Sequence, residues 1–160
     1  LGDFLKGIIA CSLTHIILGQ LDVGNAYMFV LYTGLGVVLG HNFPFYMQFK
    51  GGKGIAASGG MIVGLWDWRL VVILLVAFII SVVVTRYVSV GSLTIMIGFF
   101  ILYTIFAIHG DYNFTSNAKM IEGIVLAGVI AGMAVIRHLP NIKRLIAGTE
   151  NKLSFGSKTA

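Results

Sequence analysis

Charge is scarce in this sequence: of 160 residues 11% are charged and 58% hydrophobic, and the mean hydropathy is +0.95. A soluble domain carries about a quarter of its residues as charges, so the composition argues for an integral membrane protein. Cysteine is almost absent. Cys11 stands alone, which excludes an intrachain disulfide and a thiolate zinc cluster and leaves a small buried thiol. The four histidines, at 15, 41, 109 and 138, show no close metal-ligand spacing, so no metal site is implied. His15 falls in an apolar run and reads as a hydrogen-bonded packing residue. No secretory signal precedes Asp3, and the chain, which opens on Leu1, reads as beginning part-way through a longer protein. The net charge of +5 is distributed along apolar boundaries, without a DNA- or RNA-binding module.

Long uncharged runs are what the chain does have. Tyr87 to Ile108 gives 22 residues without a formal charge and Val23 to Gly40 gives 18, each enough to cross roughly 30 Å of hydrocarbon as a helix. None alternates with a period of two, which argues against a barrel. Charged and turn residues divide the chain into apolar stretches at 4–20, 24–41, 54–66, 70–86, 90–108 and 118–137. The expected fold is an all-α polytopic transmembrane bundle of about six spans, one domain over residues 1–160. The 54–66 stretch is short for a crossing and reads as a short, tilted or re-entrant helix. Alternating crossings put Lys6, Lys50, Lys53, Arg86, Arg137, Lys143, Arg144, Lys152 and Lys158 on one face, assigned as cytoplasmic, and Arg69 and Lys119 on the other. Asp22, Asp67, Asp111 and Glu122 collect on that second face. Glycines at 128 and 132 have the spacing of a close helix contact.

Three polar clusters fall on the lysine-rich face. In the first, Phe49-Lys50-Gly51-Gly52-Lys53-Gly54 combines glycines that expose amides with two ammonium groups and a following helix start, which suits an anion. A basic loop touching anionic lipid headgroups is the alternative. The Walker pattern fails, because Gly54 stands where Ser or Thr would hold magnesium, and the dinucleotide fingerprint lacks a preceding strand. His41 either meets a phosphate or holds the loop, and Pro44 is expected to end the second span. The second cluster, Thr85 to Ser92, puts Ser89 and Ser92 on one helical face, as substrate donors or, for the serine, as an N-cap beside a headgroup-anchored Arg86. The third, Arg137-His138-Leu139-Pro140-Asn141-Ile142-Lys143-Arg144, reads as an interfacial helix beginning near Pro140. Lipid anchoring accounts for its basic residues but not for His138 and Asn141.

Gly40-His41-Asn42-Phe43-Pro44 with Phe49-Lys50-Gly51-Gly52-Lys53-Gly54, Tyr87-x-Ser89, and Arg137-His138 through Asn141-Ile142, Arg144-Leu145 and Gly148-Thr149-Glu150 resemble the motifs of the bacterial acyl-phosphate:glycerol-3-phosphate acyltransferases. Asp3-Phe4-Leu5-Lys6-Gly7 resembles the segment that opens that family's second span. The resemblance implies seven spans in a complete member. It also implies a first helix and a Ser-, Gly- and Arg-containing motif that these residues lack, so this chain is expected to be N-terminally incomplete. The implied reaction, at the cytoplasmic side of the bacterial cell membrane, transfers a fatty acyl group from acyl phosphate to the 1-hydroxyl of glycerol 3-phosphate. The implied partners are those two substrates and membrane lipids, with no cofactor, no metal and no nucleic acid. By the same resemblance Lys50, Gly51, Gly52, Lys53, Gly54, His41 and Arg86 hold phosphates, while Ser89, His138, Asn141 and Lys53 serve the chemistry. Asn42, Arg144 and Glu150 support them. An anion or solute transporter and a non-catalytic membrane scaffold are the competing readings.

Overall fold

The computed structural model describes residues 1–21 and 24–153; Asp22 and Lys158, two of the charges used to orient the chain, lie outside them. The described residues are helical and contain no strand. In order, the helices are α1 (Gly2–Gln20), α2 (Ala26–Asn42), α3 (Ile55–Gly64), α4 (Trp68–Thr85), α5 (Val88–His109), α6 (Asn117–Arg137) and α7 (Leu139–Ile146), with a 3-10 turn at Phe45–Met47. Five are long and apolar enough to cross a membrane: α1, α2 with its 3-10 extension, α4, α5 and α6.

The 54–66 stretch becomes α3, whose ten residues reach about 15 Å, half the hydrocarbon thickness. Despite its length it carries the chain from one end of the bundle to the other. Gly54 at its start lies against Asn42, and Asp67 just beyond its end bonds Tyr112. Burial explains how a helix so short is tolerated, since Ala57, Ser58, Gly60, Met61, Ile62 and Gly64 are all enclosed by protein. Its seam with α1 is built on glycines. A Cβ on Gly60 would collide with the Phe4 carbonyl, and one on Gly64 would stand 2.5 Å from Cys11 Cβ. Close backbone approach therefore occurs here and not at the 128 and 132 pair, where Gly128 meets only the Phe100 ring and Gly132 faces open space.

The core runs through Leu31, Met61, Leu65, Leu74, Met96, Phe99, Tyr103 and Ile130, with Cys11 as a buried free thiol among them. Outside it the pattern is that of a protein in lipid. Val72, Ile73, Val76, Ile80 and Val83 of α4, Ile97, Ile101 and Ile105 of α5, and Leu5, Ile9 and Leu13 of α1 are exposed, which water would penalise and acyl chains do not. His15 packs as expected, stacked on Trp66 at 5.1 Å and edge-on to Tyr27, but its Nδ1 is buried without a hydrogen-bond partner.

The two ends of the bundle differ in chemistry. At one end the Asp67 carboxylate accepts from the Arg69 backbone and guanidinium and from Tyr112 Oη, while Arg69 also meets Asp111 and Lys119 meets Glu122. At the other end gather His41, Lys53, Arg86, Ser89, Arg137, His138 and the carboxylates of Asp3 and Glu150. Among the described residues this segregation follows the alternation read from the sequence.

Candidate active site

Where α2 ends, Phe43 leaves the helix with φ −132° and Pro44 follows, as a residue without an amide proton dictates. The chain then turns through Gln48 and Phe49, both left-handed at φ 53° and 61°, with Phe45, Tyr46, Met47 and Phe49 exposed. It returns beside its own origin, where Gly51 N–H donates to the Asn42 carbonyl at 3.2 Å. Glycine is required on this return: a Cβ on Gly51 would strike the His41 carbonyl and one on Gly52 the His41 imidazole. Gly54, at φ 81°, then caps α3 in a conformation that L side chains rarely adopt.

Beyond this loop lies a cavity of about 690 Å³. Three helix starts open into it. Ile55 and Ala56 come from the first turn of α3, Val88 and Ser89 from that of α5, and His138 and Asn141 from the start of α7. The first helical bond of α3 is Ser58 N–H to Gly54 O, so the amides before it have no partner within the helix. The starts of α3 and α5 bring partial positive charge to one place, whereas at α7 the C-cap of α6 is the same His138 and Pro140 has no amide proton; Lys53 and Lys152 add full charges. The carboxylates that also line the cavity are already engaged. Asp3 accepts from Lys6 Nζ at 2.7 Å and faces His41 Nδ1 at 3.0 Å, and Glu150 accepts from Asn141 Nδ2 at 2.7 Å and Arg144 Nε at 2.6 Å.

The neutral polar groups are left with spare capacity. Ser89 is 7% exposed and Asn141 5%, yet Ser89 Oγ and Asn141 Oδ1 have no hydrogen-bond partner among the described residues. The cap of α5 is Tyr87, so Ser89 is not an N-cap serine. His138 Nδ1 lies 2.7 Å from the Ala134 carbonyl, and since a carbonyl only accepts, Nδ1 carries the proton and the neutral ring keeps its lone pair on Nε2. Burial holds His138 below the ordinary histidine value, so the neutral ring is favoured. Hydrogen bonds from Asn141 and Arg144, with the Ser89 hydroxyl nearby though not within bonding geometry, hold the Glu150 carboxyl down at about 2.

The structure thus brings His41, Lys53, Gly54, Ser89, His138, Asn141 and Glu150 around one cavity. The model of the family described as glycerol-3-phosphate acyltransferase matches residues 1–148. The chain belongs to the glycerol-3-phosphate acyltransferase family, and so to a family of acyltransferase enzymes. A glycerol-3-phosphate acyltransferase of Thermoanaerobacter sp. (strain X514) is 38% identical over 157 residues, 98% of this chain and 69% of the relative. One from Chlorobaculum parvum is 33% identical, over 89% of this chain and 66% of the relative. Two crystal structures of PlsY (YgiH), an integral membrane glycerol 3-phosphate acyltransferase, in its lysophosphatidic acid and glycerol 3-phosphate forms, superpose with a TM-score of 0.74 at 28% identity. They match 95% of this chain, which covers 69% and 68% of theirs. The chain spans about two thirds of the length of the curated relatives it matches.

Within this family member, some residues expected at the site stand back from it. Lys50, Gly51, Gly52 and Arg86 do not line the cavity. Arg86 caps α4 at φ 61°, and its carbonyl accepts from Leu153 N–H at 2.8 Å. Among the described residues Asn42 is fully buried beneath Gly54 with both amide atoms unpartnered, and Arg144 reaches the site through Glu150. Asp3 and Lys6, legible in the sequence only as part of a segment that opens a span, join His41 at the rim, and Asn151, Lys152 and Leu153, unassigned from sequence, form one wall. An Asp and a Lys three residues apart at the start of a span, at the same end as His41, is the signal that would have found the first pair. The task of Arg137 is likewise unassigned from sequence.

Proposed function

We propose that this chain transfers a fatty acyl group from acyl phosphate to the 1-hydroxyl of glycerol 3-phosphate, giving 1-acylglycerol 3-phosphate and inorganic phosphate. The supporting observation is the convergence of the N-termini of α3 and α5 and of Lys53 on one cavity whose buried Ser89 and Asn141 oxygens lack partners among the described residues. That environment favours phosphate groups and supplies hydrogen bonds to a developing oxyanion. The hydroxyl oxygen attacks the acyl carbonyl carbon, the bond between that carbon and the phosphate oxygen breaks, and phosphate leaves with the electron pair. An acyl phosphate is an activated anhydride, so orientation and charge neutralisation carry the step without a covalent enzyme intermediate. Ser89 donates to the donor phosphate or the oxyanion, Asn141 orients the glycerol phosphate, and Lys53 with the α3 amides neutralises phosphate charge. Either His138 Nε2 or a substrate phosphate oxygen takes the hydroxyl proton. Lys50 and Arg86, outside the lining, draw the anions in from the surface.

On this reading the site end faces the cytoplasm of a bacterial cell, in line with eight of the ten described lysines and arginines lying at that end. The described helices act as one membrane acyltransferase domain. The test is acyl transfer to labelled glycerol 3-phosphate by the purified chain in detergent, offered acyl phosphate or acyl-CoA, beside a version extended upstream. Product from acyl phosphate alone is expected. Product from acyl-CoA only would overturn the donor, and no product from either folded version would favour an anion transporter or a scaffold.

A further inference from the structure

An arginine beside His138, next to a cavity suited to phosphate, invites assignment as a phosphate ligand. The geometry points elsewhere. Arg137 Nε donates to the Gly52 carbonyl at 3.0 Å, and Nη2 donates to the carbonyls of Asn42 at 2.9 Å, Gly51 at 2.9 Å and Gly52 at 2.8 Å. The guanidinium also sits over the Phe43 ring, 5.1 Å from its centroid. Arg137 does not line the main cavity; it shares with Gly51, Gly52, Lys53 and Pro140 a separate, smaller recess against the same loop, Lys53 alone of these lining both.

We infer that Arg137 is a positioning residue that acts through the glycine loop, fastening its carbonyl oxygens on the side away from the cavity. The consequence is electrostatic. Carbonyl oxygens carry partial negative charge, and any one turned into the cavity would repel a phosphate that Lys53 and the α3 amides attract. Glycines do not hold such a loop by themselves, having more backbone freedom than any other residue and no side chain to pack. His41 blocks one side of Gly51 and Gly52, and Arg137 bonds the other. A planar fork with fixed donors suits three carbonyls on a curve, whereas lysine, a single point charge on a flexible stem, does not reproduce it. The kinetic consequence rests on the acyl-transfer reading above; the structural consequence does not.

The test compares the wild-type chain with Arg137→Lys and Arg137→Gln in lipid nanodiscs. Hydrogen exchange of residues 43–54 is measured without substrate, binding of inorganic phosphate and glycerol 3-phosphate by calorimetry, and kcat and KM separately. The expected result is faster exchange confined to 43–54, anion binding and KM worsened on the order of 10- to 100-fold in the glutamine variant, and Arg137→Lys intermediate. Weakened binding with unchanged loop exchange would overturn the inference and make Arg137 a direct ligand. Faster exchange throughout the bundle would reduce it to a scaffold residue, and a loosened loop with normal binding would remove its role in the site. A chain that transfers no acyl group but shows the loop and phosphate effects sinks the functional reading and leaves this one standing.

Discussion

Gly7→Ala probes the seam that carries α3, and its effect can be worked from distances. A Cβ on Gly7 would stand 2.5 Å from the Ala57 carbonyl oxygen, 3.0 Å from Met61 N and 3.1 Å from the Gly60 carbonyl carbon, where ordinary contact begins at 3.4 Å. All three are backbone atoms, so no side chain can swing aside. The helices must part by about 0.9 Å, and overpacking of this kind costs about 1–3 kcal/mol. A gap of that size also forfeits roughly a quarter to a half of the dispersion energy of the contacts it opens. Gly132→Ala is the control, because nothing lies within 4 Å of its Cβ and alanine gains up to about 1 kcal/mol of helix propensity. Unfolding of both variants in an SDS titration, followed by helical circular dichroism, should put Gly7→Ala below wild type and Gly132→Ala at or above it. Because the first turn of α3 lines the cavity, Gly7→Ala should also slow acyl transfer. A Gly7→Ala chain as stable as wild type would refute the claim that α1 and α3 meet backbone to backbone.

Lys53→Ala should abolish turnover with the unfolding midpoint unchanged, since Lys53 lines the cavity and makes no hydrogen bond or ion pair among the described residues; near-normal rates would reject its role. Glu150 is held near 2 against an ordinary 4.5, so its contribution to stability is fully present above pH 4.5 and is lost as pH falls toward 2. Thermal scans across that window should show a loss of stability that Glu150→Gln flattens. Asp67→Asn, at the opposite end, breaks a carboxylate that is 5% exposed and accepts from Arg69 and Tyr112. It should cost on the order of 2–3 kcal/mol, measured by the same SDS titration, with KM for glycerol 3-phosphate unaltered.

Boundaries were the legible part of this chain. Pro44 ends α2 because it has no amide to give, Pro140 sits in the first turn of α7, and the short 54–66 run becomes the short helix α3. Ser89 and Ser92, three residues apart, do share a helical face and a cavity. What sequence does not carry is the identity of the neighbour. The spacing Gly-x-x-x-Gly marks a flat strip on a helix, but it occurs at 60 and 64 as well as at 128 and 132, and only the first strip has another backbone against it. Charge has the same limit. Arg137 and Lys53 look alike as cations beside glycines and histidines, yet one is consumed by carbonyls and the other faces the cavity. The Asp3 and His41 pair, 38 residues apart, needs the packing of α1 against α2 before it exists.

The wall made by Glu150 to Leu153 separates spanning the membrane from shaping the site. This segment follows every described helix from α1 to α7 in the chain and belongs to none of the five spanning ones, yet it supplies a side of the cavity. Spanning and site geometry are thereby assigned to different parts of one chain. A chain ending at residue 148 would keep its five spanning helices, while Asn141 and Arg144 lacked the carboxylate that orients them.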